Sequence, residues 1–165
     1  MGIAQSLIAE LSLEAGATRR MLERVPQDSL LWKPHAKSRS LGEIAAHIAN
    51  IPGIFLGPLG ADGLDRESYG PATPLENAAG IVETFDKNIA TALGALGEIR
   101  EDQWMEPWRY RYGEKVVFEL PRIAVARAMG VNHLIHHRGQ LSVYLRLLGI
   151  PVPPVYGPTA DESSA

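Results

Sequence analysis

At 165 residues and 45% hydrophobic, the chain is the size of one domain, taken as residues 1–165, and can bury a core of its own. A formal net charge of −3, with no stripe of Lys and Arg, offers phosphates no attracting field and argues against nucleic acid as a partner. With no cysteine, disulfides, thiolate nucleophiles and Cys-type zinc sites are excluded, any metal must be held by nitrogen and oxygen, and a reducing compartment is consistent.

The opening stretch MGIAQSLIAELSLEAG meets acidic residues at Glu10 and Glu14 and has no basic run before an apolar core. It reads as neither a signal peptide nor a membrane span, so a cytoplasmic protein is expected. Ile3, Leu7, Leu11, Met21, Leu22 and Val25 recur at spacings of three and four, predicting an amphipathic helix over about residues 3–25. DSLLWKPHAKSRS, residues 28–40, cannot continue it, because a residue before proline is pushed to extended geometry, and His35 beside Pro34 reads as a surface residue. Ser40 and Glu43 then form a capping box, and Leu41, Ile44, Ala45, Ile48 and Ile51 make one face of a second helix, with His47 beside it. Pro52 and Gly53 are expected to kink or end that helix, and residues 57–73, rich in Gly, Pro and Asp, read as a surface loop. Thr73-Pro74-Leu75-Glu76 repeats a start signal, and Ile81, Val82, Phe85, Ile89, Leu93 and Leu96 carry a third helix to about residue 99.

The period changes in EDQWMEPWRYRYGEKVVFELPR, residues 101–122, where Trp108, Tyr110 and Tyr112 alternate with arginines before Gly113. A short β-hairpin or an extended insert is expected there. Together with Trp104, these rings lie outside the seam of a helical bundle, so they either fold back over its end or meet a second copy of the chain. Pro121 opens a long last helix that runs to about Leu148 and stops at Gly149 and the prolines that follow. Four such helices without βαβ alternation predict an all-α fold, an antiparallel four-helix bundle.

In the last helix, NHLIHHRGQLSVYLRLLG holds three of the five histidines within five positions. On a helical wheel with His133 at zero, Leu134, Leu141, Tyr144 and Leu145 centre the buried side at about 70°, His137 falls at about 40°, and His136 at about 300°. His133 and His137 therefore face inward and His136 outward, and Arg138 reads as a solvated or salt-bridged surface arginine. Two imidazoles four residues apart, about 6 Å along the axis, can reach one ion from the same side. His47 is the other inward-facing histidine, and three nitrogens at about 2.0 to 2.3 Å would leave a coordination position open, as a catalytic site requires. Gln140 and Tyr144, farther along nearly the same face, are candidates to orient the ligating rings through their second nitrogens. The residue after the first histidine is Leu134, whereas the zinc-protease pattern H-E-x-x-H has glutamate there, which argues against that hydrolase mechanism.

NHLIHHRGQLSVYLRLLGIPVPPVYGP, taken with LLWKPHAKSRSLGEIAAHIANI upstream, resembles the DinB/YfiT-like family of metal-dependent enzymes. The resemblance implies a four-helix bundle in which one histidine of the second helix and two of an H-x-x-x-H on the last bind zinc or nickel. Those positions match His47, His133 and His137. It also implies a homodimer and a transferase reaction on a small-molecule substrate, in which the metal activates a low-molecular-weight thiol. A non-catalytic metal-binding helical stress protein and a metal-dependent hydrolase are the alternatives.

Overall fold

The computed structural model describes residues 2–68 and 77–163. It is mostly helical, as the helical periodicities predict, with a small three-stranded sheet of which the change of period near residue 107 predicts the hairpin.

Helix α1 (Ile3–Leu22) buries Leu7, Leu11, Met21 and Leu22 along one stripe. Helix α2 (Leu41–Ile51) begins at the expected capping box: Ser40 Oγ accepts the Glu43 amide at 3.2 Å, and Glu43 Oε2 accepts the Ser40 amide at 2.6 Å. Satisfying two orphan donors in this way contributes about 1 kcal/mol. The loop before it is fastened to the helix start, since Leu41 and Gly42 donate their amides to the carbonyls of Trp32 and Leu30. The α-helix ends at Pro52, as expected, without a break in the helical path. The chain continues as a wider π turn (Pro52–Leu56) and a 3₁₀ turn (Gly57–Gly60), which absorb the missing proline donor.

Residues 57–68 correct the expectation of a plain surface loop. Leu59 and Leu64 are buried, and Gly63–Asp65 forms strand β1. The signal was hidden because a three-residue strand has too few positions to show alternation. Gly63 is required where it stands: a β-carbon there would lie 2.2 Å from the Arg109 carbonyl oxygen. Helix α3 (Ala78–Glu98) is capped by Asn77, whose side chain accepts the Gly80 amide at 2.6 Å. The start signal expected at residues 73–76 lies outside the described residues.

After a 3₁₀ turn (Glu101–Met105), strands β2 (Pro107–Tyr112) and β3 (Lys115–Pro121) pair antiparallel, and β2 also pairs parallel with β1. The hairpin folds its tryptophans inward. Trp104 and Trp108 are fully buried, with Trp108 Nε1 donating to the Pro58 carbonyl at 3.3 Å, so the fold-back alternative holds for both within one chain. Tyr110 is half-buried and stacks on Phe118, whereas Tyr112 remains exposed. Arg122, 2% exposed, fixes the base of this unit: it donates to the Leu59 and Ala61 carbonyls and pairs with Glu106 and Asp62.

The last helix is also not uniform. It comprises α4 (Arg122–Val125), a π turn (Ala126–Val131) and α5 (Asn132–Leu147) in direct succession. Helices α1 and α2 each pack on both α3 and α5, which encloses a single cluster of buried residues. Among the described residues no helix is long and apolar enough to cross a membrane.

Candidate metal centre

His47 lies on α2 one turn beyond Glu43, and His133 and His137 lie on consecutive turns of α5. Packing of α2 on α5 brings the three rings together, and their candidate ligand atoms lie within 4.8 Å of one another. His133 Nε2 is 3.2 Å from His47 Nε2 and 2.9 Å from His137 Nε2.

The outer nitrogens decide what those contacts mean. His133 Nδ1 is 3.3 Å from the Met129 carbonyl oxygen, and His137 Nδ1 is 2.7 Å from Gln140 Oε1. Both partners accept, so both Nδ1 atoms carry the proton and both Nε2 atoms present lone pairs. Two lone pairs 2.9 Å apart repel unless a cation or a shared proton lies between them. The donor set thus fits a divalent transition-metal ion, for which neutral imidazole is a preferred ligand.

Electrostatics keeps the rings neutral. Burial, then the Arg39 guanidinium, then the two neighbouring imidazoles push His47 down to about 4. His133 is lowered by burial and then by His137, and His137 by burial, with the Gln140 hydrogen bond opposing. A ligand must be deprotonated to bind a metal, and at neutral pH all three are.

The other sequence candidates are placed differently. His136 is exposed, with its ring centroid 4.8 Å from that of His137 but outside the three-nitrogen cluster. His35 is exposed, and its Nδ1 accepts the Lys37 amide. Gln140 touches a ring of the cluster, as noted, whereas Tyr144 does not. The Tyr144 hydroxyl donates to the Arg39 carbonyl at 3.3 Å, and its ring packs edge-on against Trp32.

The centre opens on a cleft of about 990 Å³ whose wall includes His47, His133, Arg39, Asn50, Phe55 and Tyr110. Phe55 supplies an apolar face 5.8 Å from the His133 ring. Sequence reasoning passed over Arg39, Met129 and Phe55. Arg39 carried one usable signal, its place next to the cap of the helix that bears His47. The Met129 carbonyl carried none, because its role depends on backbone geometry.

The family model described as "DinB family" matches residues 3–164. The chain belongs to the DinB family. Its relatives in that family include two Bacillus subtilis proteins described as uncharacterized, YrdA and YjoA. YrdA is 27% identical over 154 residues, which span 90% of this chain and 85% of YrdA. YjoA is 24% identical over 161 residues, covering 93% and 96%. Among solved structures, a DinB-like protein from Bacillus cereus superposes with a TM-score of 0.72 at 23% identity, covering 92% of this chain and 97% of that one. The crystal structure of YjoA gives 0.71 at 18% identity, covering 92% and 96%. At those identities the structural likeness carries the DinB-like fold.

Proposed function

We propose that this DinB-family protein is a metal-dependent enzyme, a transferase that uses a low-molecular-weight thiol at a zinc or nickel ion held by His47, His133 and His137. The observation that carries the reading is the convergence of three imidazole nitrogens, two of them presenting lone pairs because their rings bond through Nδ1 to the Met129 carbonyl and Gln140. A divalent metal held there supplies Lewis acidity, lowering the pKa of a thiol or water so that a nucleophile exists at neutral pH.

The protein's own residues do the rest. Gln140 and the Met129 carbonyl orient the rings, Phe55 lowers the local dielectric, and the cleft admits the substrate. A metal that only tied α2 to α5 would call for side chains covering it, and the open cleft beside His47 and His133 speaks for access instead. A hydrolase of the zinc-protease type is disfavoured by Leu134, which occupies the position of its general base. In the same reading the helices form an antiparallel four-helix bundle and the protein is a homodimer. With Trp104 and Trp108 buried inside one chain, the dimer surface must lie elsewhere, and light scattering should return twice the 18.0 kDa of one chain.

The decisive experiment is elemental analysis of protein purified without a metal-affinity tag, followed by thermal shifts with candidate thiols. About one zinc or nickel per chain and a thiol-dependent shift are expected. Metal-free protein that takes up neither ion would overturn the reading.

A further inference from the structure

We propose that the ligand of this cleft is a small organic anion whose carboxylate is bound by Arg39 beside the three-histidine centre. This deepens the metal reading above and rests on it.

The placement of Arg39 comes first. It stands immediately before the Ser40 cap of α2, on a backbone fastened from two directions: its carbonyl accepts the Tyr144 hydroxyl, and just beyond the cap the Leu41 and Gly42 amides donate to the Trp32 and Leu30 carbonyls. The stem is therefore fixed while the side chain is exposed in the cleft that also contains His47 and His133. Among the described residues the guanidinium has no hydrogen-bond or ion-pair partner. The two buried arginines, by contrast, are committed, Arg122 to Glu106 and Asp62, and Arg138 to Glu14.

Charge balance gives the second argument. Arg39 acts on all three imidazoles, and no carboxylate does. Two carboxylates line the same cleft, but Glu43 is engaged by the Ser40 amide and lies 3.6 Å from Lys33, and Asp28 belongs to the 3₁₀ turn Gln27–Ser29. Three neutral imidazoles bring no negative charge, so a divalent ion among them would keep both its charges with a guanidinium nearby. Like charges in a partly desolvated cleft are costly unless an anion lies between them. A carboxylate meets that requirement, and the planar guanidinium fork matches it with two parallel hydrogen bonds.

Size and lining complete the description. A volume of about 990 Å³ exceeds what a simple inorganic anion fills and falls in the range of small-molecule sites. Leu30, Leu31, Ile54, Phe55 and Tyr110 offer an apolar wall for the carbon skeleton.

The test uses metal-loaded full-length protein and matched probe pairs differing in one charge, read by isothermal titration calorimetry. One pair has a sulfur donor, 3-mercaptopropionate against 3-mercaptopropanol; the other has oxygen donors only, glycolate against ethylene glycol. The carboxylate member of at least one pair should bind about tenfold more tightly, the yield of one charge-assisted contact. Arg39→Gln should reduce that ratio to near one, and Arg39→Lys should keep part of it, with metal content measured on the same samples. A preference seen only in the oxygen pair would sustain the role of Arg39 and sink thiol use. Equal binding within both pairs, or a ratio unchanged by Arg39→Gln, would overturn the proposal while leaving metal binding intact. Protein that takes up no metal overturns both.

Discussion

Gln140 is exposed, yet its amide oxygen lies 2.7 Å from His137 Nδ1 and so dictates which nitrogen of that ring stays free. Removing such a partner commonly costs 10- to 100-fold in metal affinity, so Gln140→Leu should weaken zinc binding by about that factor without unfolding the protein. His133→Ala should abolish it, because His133 Nε2 is the atom closest to both other nitrogens, and His136→Ala should leave metal content unaltered. Competition against a chromogenic chelator distinguishes the three, and metal loss in His136→Ala would contradict the assignment. Acid gives a second handle. A histidine whose folded pKa is about 4 binds fewer protons in the native chain than in the unfolded one, where the value is 6.5. His47 therefore leaves stability intact above pH 6.5 and erodes it as the pH falls from 6.5 toward 4, and the shifts of His133 and His137 act in the same direction. The melting temperature of metal-free protein should fall across that window, and more steeply than in His47→Gln. Parallel curves for the two proteins would remove His47 from the explanation. At this scale the histidines were legible because helical phase selects them, whereas Arg39 showed only its place beside the Ser40 cap, since its relevance depends on which loop α5 meets.

Both helices that carry the histidines are directly flanked by a π turn, Pro52–Leu56 after α2 and Ala126–Val131 before α5, and the two turns pack on each other. Neither was legible, because a π turn is fixed by what packs on it rather than by residue preference. It also explains an imperfection of the wheel. Continued upstream, the wheel puts Ile123 at about 80°, in phase with Leu134 and Leu141, but the wider turn shifts the phase, so that Val125 and Ala126 are fully buried while Ile123 is only half-buried. The capping box of α2, by contrast, was readable, since it needs only Ser40 and Glu43 at the right spacing. Where the turns meet, a β-carbon on Gly130 would lie 2.3 Å from Leu56 Cδ2, and Leu56 is itself fully buried. Gly130→Ala should therefore destabilise the protein by about 1–3 kcal/mol through overpacking and weaken metal binding by displacing the start of α5. Gly139, on the exposed side of α5 with nothing within 4 Å, provides the comparison. There the same change should stabilise by up to about 1 kcal/mol, the helix-propensity gain of Ala over Gly. Thermal melts of the two variants that move in the same direction would refute the close approach of the π turns.

At the scale of the molecule, the order of helices and the hairpin could be read from periodicity, but the way the C-terminal segment closes over α1 and α5 could not. Arg138 lies at about 140° on the wheel, at the edge of the buried side, and nothing local indicates a partner. Its partner is Glu14, 124 residues earlier, and the two are among the few buried charges: Arg138 Nη1 lies 2.6 Å from Glu14 Oε2, with side chains 3% and 7% exposed. Tyr156 joins from the tail, its hydroxyl 2.9 Å from both Glu14 oxygens and 2.8 Å from Arg138 Nη2. Arg146 with Asp161 and Arg24 with Glu162 fasten the same segment, although these pairs are more exposed and contribute less. The buried pair should dominate, because removing one partner leaves a charge without compensation, at about 3–5 kcal/mol. Arg138→Met should lower the melting temperature by roughly 6–20 °C in a chain of this length, and limited proteolysis should release the tail sooner. Adding Glu14→Gln should recover much of the loss, since the stranded carboxylate is then gone and an amide can still accept the Tyr156 hydroxyl. A double variant no more stable than Arg138→Met alone would mean that Arg138 acts through its packing on the Tyr156 ring, 5.3 Å away, rather than through its charge.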